Sequence, residues 1–350
     1  MTLAGIRFMG ACAALATPIG LSLLGACGGR SDLGPFGAGG AGGSSSHASV
    51  TTAAAMSSSS TGAPLHCDPP KQKTVIATDT LKGALEVLVH GEYIYVLEQQ
   101  DVLQISPCGG PPKVLAKDMN GMLSMRGFAI TDEGVHWAMS GAGSGAIGLA
   151  PLDGSPASFT PTPNLLSVSA DAQGIYVALA TGSLTAQSKT QGTIPLASSG
   201  AVGYWAPLVV NEGWVYWAWA ASSPFGQMIR VRSDGSKLQT LVPMRMPTDT
   251  AVLGDQVYTV TAHGVDELQT FDAKNPQLSA VAVVQSPVAL ALDAKYIYIA
   301  DAIGVERAPL DTSTVTPLVG QAGMIDLTVT DTAIFWIADD GTLSWVKKPL

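Results

Sequence analysis

At 350 residues, with 47% hydrophobic and 13% charged side chains, the chain has ample apolar surface for a large core and too little charge for a mainly disordered protein. Eighteen basic against 27 acidic residues give a net charge of −9, which argues against the clustered Lys and Arg surface that nucleic acid requires. Thirty-nine glycines and 22 prolines suit short strands and tight turns better than long helices, so the expected class is all-β.

Residues 1–26 carry one positive charge, Arg7, followed by an apolar stretch from Phe8 to Leu24 broken by Gly10, Pro18 and Gly20. This is the plan of a cleaved signal peptide, and the breaks leave it short of the roughly 20 apolar residues of a spanning helix. The segment ends Leu24, Gly25, Ala26, Cys27 and resembles the lipobox of bacterial lipoproteins: an aliphatic residue, two small residues, then cysteine. The resemblance implies that the Cys27 sulfur receives a diacylglycerol, and each buried CH₂ of such chains contributes about 0.8 kcal/mol of membrane affinity. Gly28 follows, without the Asp that marks inner-membrane retention, so the expected address is the outer membrane, facing the periplasm or the surface, with secretion as the alternative. Loss of Arg7 and no acid leaves the mature chain more acidic still.

From Gly37 to Pro64, 24 of 28 residues are Gly, Ala, Ser or Thr, too little apolar area to offset the entropy of ordering. The organisation read from this is a signal peptide over 1–26, a flexible tether over 27–66 and a folded domain over 67–350. As a random coil the tether reaches about 30–35 Å, enough to clear lipid headgroups. Its Gly37 to Gly42 run matches a dinucleotide fingerprint formally, yet lacks the flanking strand and helix that give that motif its meaning.

Beyond the tether a branched aliphatic residue followed by an aromatic or His recurs: Ile94-Tyr95, Val135-His136, Ile175-Tyr176, Val215-Tyr216, Val257-Tyr258, Ile297-Tyr298 and Ile334-Phe335. The spacings are 41, 40, 40, 42, 40 and 37 residues. Seven units of about 40 residues made of short alternating strands predict a seven-bladed β-propeller, with six or eight blades as alternative counts. In the sixth unit Val288 to Leu292, Tyr296 to Ala300, Gly304 to Arg307 and Thr314 to Val319 read as four successive strands. Asx residues at Asp132, Asp171, Asn211, Asp293 and Asp331 are expected to cap the first turn of their units. The last unit stops after its third strand, Thr342 to Val346, while an orphan strand, Thr74 to Ala77, precedes the first. Pairing the two would close the ring and remove its exposed edges.

The units also resemble the tyrosine-tryptophan-threonine-aspartate (YWTD) and NHL-like propeller repeats. Phe335 to Asp339 and Tyr298 to Asp301 echo their second strand, and Ile229-Arg230 leading to Asp234-Gly235, with Leu152 to Gly154, echo the next strand and turn. The resemblance spans about residues 70–350 and implies a surface-exposed or protein-binding module. Those families commonly have six blades, so seven units depart from their usual count.

With Cys12 in the signal peptide and Cys27 assigned to lipid, Cys67 and Cys108 remain. Cys67 lies just before the orphan strand and Cys108 in a turn of the first unit, so a disulfide between them would staple the seam in an oxidising compartment, with two free thiols as the alternative.

Catalytic signatures are sparse. The five histidines are scattered, without HExxH or CxxC spacing, and neither a G-x-S-x-G elbow nor a Walker loop occurs. Two weaker constellations stand out. Glu86, Asp249 and Asp326 fall within a residue of one another's equivalent position beside the central channel, the alignment shifting by one with how the turns are counted, where carboxylate oxygens could take a hard cation such as Ca²⁺ or simply be solvated; no cofactor is otherwise expected. Tyr204 and Trp205, with Phe225, bring aromatic side chains to loops of the fourth unit, a composition enriched in recognition surfaces. Trp214, Tyr216, Trp217 and Trp219 of that unit read mainly as packing between blades.

The functional expectation is a non-catalytic, lipid-anchored module, monomeric, binding a protein, peptide or glycan at one mouth of the channel. A propeller-type hydrolase or lyase and a structural envelope protein are the alternatives.

Overall fold

The computed structural model describes residues 67–349 apart from 71, 79–80, 82, 118–123, 142–143, 189–191, 199–207, 223–224, 246, 262–265 and 312–313. Cys27, Tyr204 and Trp205, and with them the signal peptide and tether, lie outside the described residues. The described residues form 28 strands, β1 to β28 in chain order, and no helix. They assemble into seven antiparallel four-stranded sheets, which is the propeller with seven blades expected from the repeats.

Six blades are consecutive in sequence; the seventh is composite. Its strands β26 (Met324–Val329), β27 (Ala333–Ala338) and β28 (Leu343–Lys347) are completed on the outside by β1 (Thr74–Ala77). The pairing is Thr74 with Trp345, Val75 with Ser344 and Ala77 with Leu343, so the front of the folded region fills the vacancy at its end. The innermost strands of blades one to six are β2 (Ala84–His90), β6 (Ser124–Thr131), β10 (Leu165–Asp171), β14 (Leu208–Asn211), β18 (Asp249–Leu253) and β22 (Ala289–Leu292). Each packs against the innermost strand before and after it, and β26 meets β2, which makes the array circular.

The hydrophobic core is a set of layers between blades rather than one central mass, because each sheet buries both faces against neighbours. Aromatics on the second strands fill the widening gaps: Trp137, Trp217 and Trp336 follow the recurrent aromatic directly and are fully buried. Space for Trp137 comes from the paired Gly148 on the next strand, where a Cβ would lie 2.1 Å from the indole. The outermost strands of five blades contain Pro161, Pro195, Pro243, Pro276 and Pro317. A proline cannot donate to a further strand, so these edges resist pairing with other chains.

In blades two, three and six the recurrent aromatic or His has a local reason. The residue five positions earlier closes the first turn of its blade, and the aromatic's polar atom meets it: the Tyr176 hydroxyl donates to Asp171 at 3.1 Å and that of Tyr298 to Asp293 at 2.9 Å, while His136 Nε2 is 3.1 Å from Thr131 Oγ1. Asp171 and Asp293 cap the turn as expected, accepting from the backbone N–H groups of Gln173 and Gly174, and of Lys295 and Tyr296. Asp132 and Asp331 do not. In those blades the cap is one residue earlier, at Thr131 and Thr330, whose hydroxyls accept from Glu133, and from Thr332 and Ala333. Asp132 projects fully into solvent. Asn211 also departs from the expectation: its amide reaches across to the Gly254 carbonyl of blade five at 2.8 Å.

Candidate site at the central channel

Counting back two residues from the partner of each recurrent aromatic places Glu86, Asp249 and Asp326 at one register position on the innermost strands of blades one, five and seven. The equivalent positions of blades two, three and six hold Gly127, Ser167 and Ala289. An innermost strand is an edge toward the channel, so some of its N–H groups lack a ladder partner. At several blades the ladder also shifts register here, between Ala84 and Glu86, Arg126 and Phe128, Leu165 and Ser167, and Met324 and Asp326. Such bulges turn backbone donors away from their own sheet.

The carboxyls answer those donors across blade boundaries. Asp326 accepts at Oδ1 from its neighbour Leu327 at 2.8 Å and at Oδ2 from Val87 of blade one at 2.7 Å. Asp249 repeats the geometry, accepting from Thr250 at 2.7 Å and from Leu290 of blade six at 2.7 Å. Glu86 accepts from the backbone of Gly127 and Phe128 in blade two. Where the side chain is absent, at Gly127, the blades approach directly, and a Cβ there would lie 2.8 Å from the Val168 nitrogen. The trio therefore joins blade seven to one, one to two, and five to six.

Crowding by protein and mutual repulsion disfavour their charged forms. Burial, then the charge of Asp249, raises Glu86 to about 7 against the backbone donors that lower it. Burial raises Asp249 to about 7, opposed by the N–H groups of Leu290 and Thr250. Asp326 is pushed well above the usual carboxylate range by burial and by repulsion from Glu86 and Asp249. Each carboxyl is thus turned toward backbone donors, and among the described residues no group of three His, Cys, Asp or Glu side chains is placed to hold a metal ion. The arrangement the geometry supports for Glu86, Asp249 and Asp326 is hydrogen bonding between blades.

The remaining candidates fall elsewhere. Phe225 opens the strand Phe225–Arg232, its backbone opposite Ser222 and Arg245, at the tip of the central hairpin of blade four. Cys67 and Cys108 are joined by a disulfide with their Cα atoms 5.7 Å apart. Of the blade-four aromatics, Tyr216 and Trp217 are buried in the layer shared by blades three, four and five, with Trp214 packed at its margin.

Two groupings escaped the sequence reading. The buried Arg230 lies over the Trp214 ring, donates to Gln239 at 2.8 Å and to the Tyr216 hydroxyl, and meets Asp255 of blade five at 3.4 Å. Arg232 stacks at 4.3 Å on the same indole. In blade six the buried Asp301 accepts from Ile303 and Gly304, and beside it Glu306 is raised to about 7 by burial and by the Asp301 charge and hydrogen bond. A buried Arg beside an aromatic at alternate strand positions was the only local hint of the first; the second depends on a hairpin turn placing two acids together.

No family model matches the chain, and no curated protein matches it. Solved structures similar to it include two WD40 domains, one of them described as a β-propeller. The WD40 beta propeller domain of Doa1 superposes with a TM-score of 0.63 at 10% identity, covering 80% of this chain and 98% of that one. The Neurospora crassa Pan2 WD40 domain gives 0.61 at 12% identity over 82% and 98%. A chain from the Mitotic Checkpoint Complex gives 0.59 at 10% identity over 81% and 97%. The fold and its circular closure define a seven-bladed β-propeller; at these identities the likeness extends to the fold alone.

Proposed function

We propose that this protein is a lipid-anchored propeller of the bacterial cell envelope that binds a protein, peptide or glycan without catalysis. The observation that carries this reading is the closed ring of seven sheets, which holds the loops between blades in fixed relative positions. A rigid scaffold displaying loops is the arrangement in which binding residues are found on many folds. The resemblance of the repeats to YWTD and NHL-like propellers supports the same class of function, as does a structural neighbour solved within the Mitotic Checkpoint Complex. Anchoring is carried by the Cys27 lipobox and by the tether composition of residues 27–66. The recognition surface assigned is the loop pair of blade four with Tyr204, Trp205 and Phe225.

Labelling with a palmitate analogue in a Gram-negative host tests the anchor. The native chain should take up label and sediment with outer membranes, and Cys27→Ser should do neither; label on the Cys27→Ser chain removes the anchor from the reading. Cross-linking in isolated envelopes tests the surface. Tyr204→Ala with Trp205→Ala should lose the adducts that the native chain forms while melting at an unchanged temperature, whereas an identical adduct pattern places recognition elsewhere.

A further inference from the structure

The chain before residue 67 enters the folded domain beside the strand that closes the ring. Strand β1 has four residues, three of them in register with β28 and with an irregularity between Val75 and Ala77. Val75 is 43% exposed, and the inward contribution of the strand is limited to Ile76 and Ala77 against the layer between blades seven and one. Two further contacts hold the approach to β1: Lys347 N–H donates to the Pro70 carbonyl at 2.7 Å, and Lys73 Nζ donates to Gln321 Oε1 at 2.6 Å. Every other outermost strand is continuous with its own blade through a turn.

Cys67 stands ahead of all these contacts and is bonded to Cys108. Cys108 belongs to a fixed turn of blade one, between β4 (Asp101–Ile105) and β5 (Lys113–Lys117). Its N–H is 3.2 Å from Ser106 Oγ, the Gly109 N–H donates to the Ser106 carbonyl, and Gly109 and Gly110 adopt φ of 83° and 110°. The Cys67 side also packs on the seam, against the layer that contains Phe335 and Trp345. The covalent path from residue 66 therefore reaches blade one at Cys108 before it reaches β1.

We propose that the Cys67–Cys108 bond is a redox-sensitive clasp that uncouples closure of the ring from the chain preceding it. With the bond intact, a pull or thermal excursion of the N-terminal chain is delivered to the body of blade one, and β1 lies inside a covalent loop that bears none of it. With the bond reduced, the same disturbance passes through residues 68–73 to Thr74 and peels β1 from β28 one pair at a time. Reduction by a dithiol goes through a mixed disulfide: the sulfur–sulfur bond breaks, two electrons and two protons reach Cys67 and Cys108, and the reductant leaves as its own cyclic disulfide. The pull itself rests on the reading of residues 27–66 as a tether; the clasp does not, because thermal fraying alone reports it.

Hydrogen exchange on the purified full chain in solution, where no anchor acts, tests the clasp. In the oxidised protein the amides of 74–77 and 343–347 should exchange at rates comparable with those of other outer strands. After dithiothreitol, and separately in Cys67→Ser with Cys108→Ser, they should exchange at least tenfold faster while blades three to five keep their rates. Reoxidation should restore the native chain but not the double variant. Unchanged exchange at the seam, or equal acceleration in all seven blades, overturns the proposal; failure of the palmitate experiment leaves this result untouched.

Discussion

Two junctions in the ring solve the same problem with different materials. Blades three, four and five share one continuous apolar layer that includes Tyr176, Tyr216, Trp217, Met228 and Phe271, and the chain runs through it without interruption. Blades seven and one meet where the chain does not run through, and there an apolar layer that includes Val87, Ile94, Phe335 and Trp345 is joined by a short closing strand and by polar and covalent links: Asp326 to Val87, Pro70 to Lys347, and the disulfide. Between blades already held at high effective concentration by the backbone, burial is joined by single polar links such as Asn211 to Gly254 and Arg230 to Asp255. Closure by a terminal strand must also be held against the freedom of that terminus, and directional and covalent links do this beside the apolar layer.

The largest effect that would sharpen this contrast is expected from Trp217→Ala. The side chain is 1% exposed in the layer of blades three to five, and truncation of such a group typically costs about 3–5 kcal/mol. Urea unfolding should show a lower midpoint with all seven blades lost together. Separate loss of blades seven and one before the rest would instead mean that the apolar layer is not the common support of the ring.

A smaller effect is expected from pH. Glu86 and Asp249, raised to about 7, and Asp326, raised well above the usual carboxylate range, bind protons more tightly in the folded than in the unfolded chain, where their ordinary values are 4.5 and 3.8. Their contribution to stability is therefore complete below about pH 4 and is lost as pH rises through 7. Asp255, which its hydrogen bond to Lys274 holds below the usual range, acts with the opposite sign and below that window. Urea midpoints should fall between pH 4.5 and 7.5. Asp326→Asn, which removes a charge facing Glu86, should flatten the decline, and a native midpoint that instead rises over this interval would show that the trio does not govern it.

The smallest effect concerns the repeated turn. Tyr298→Phe removes the hydroxyl that donates to Asp293 and should cost about 1 kcal/mol, since Asp293 retains its backbone donors and Lys348. Asp132→Ala, at the solvent-facing neighbour of the Thr131 cap, should leave the melting temperature within error. A larger loss for Asp132→Ala than for Tyr298→Phe would reassign the cap in blade two.

Legibility followed sequence distance. The repeat was visible because an aliphatic–aromatic pair recurs about every 40 residues, and in blades two, three and six its aromatic or His meets a turn residue five positions earlier. The offset by one that moves the cap from Asp132 to Thr131 and from Asp331 to Thr330 escaped, because Thr and Asp both offer an acceptor at nearly the same place. Counting placed Glu86, Asp249 and Asp326 to within a residue of one another, and the strand pairing gives them one register. Their use did not follow from counting, since the donors they meet, Val87, Leu290 and the backbone at Gly127 and Phe128, belong to other blades and carry no side-chain signature.

By itself the sequence determined the period, the number of blades and the offset that joins the ring, because these depend on alternation and spacing along one chain. Only the tertiary structure decided how neighbouring blades are held: which carboxyl turns to which backbone, and which arginine is buried. Those interactions pair residues that the chain leaves far apart and that come within hydrogen-bonding range only after the circle has closed.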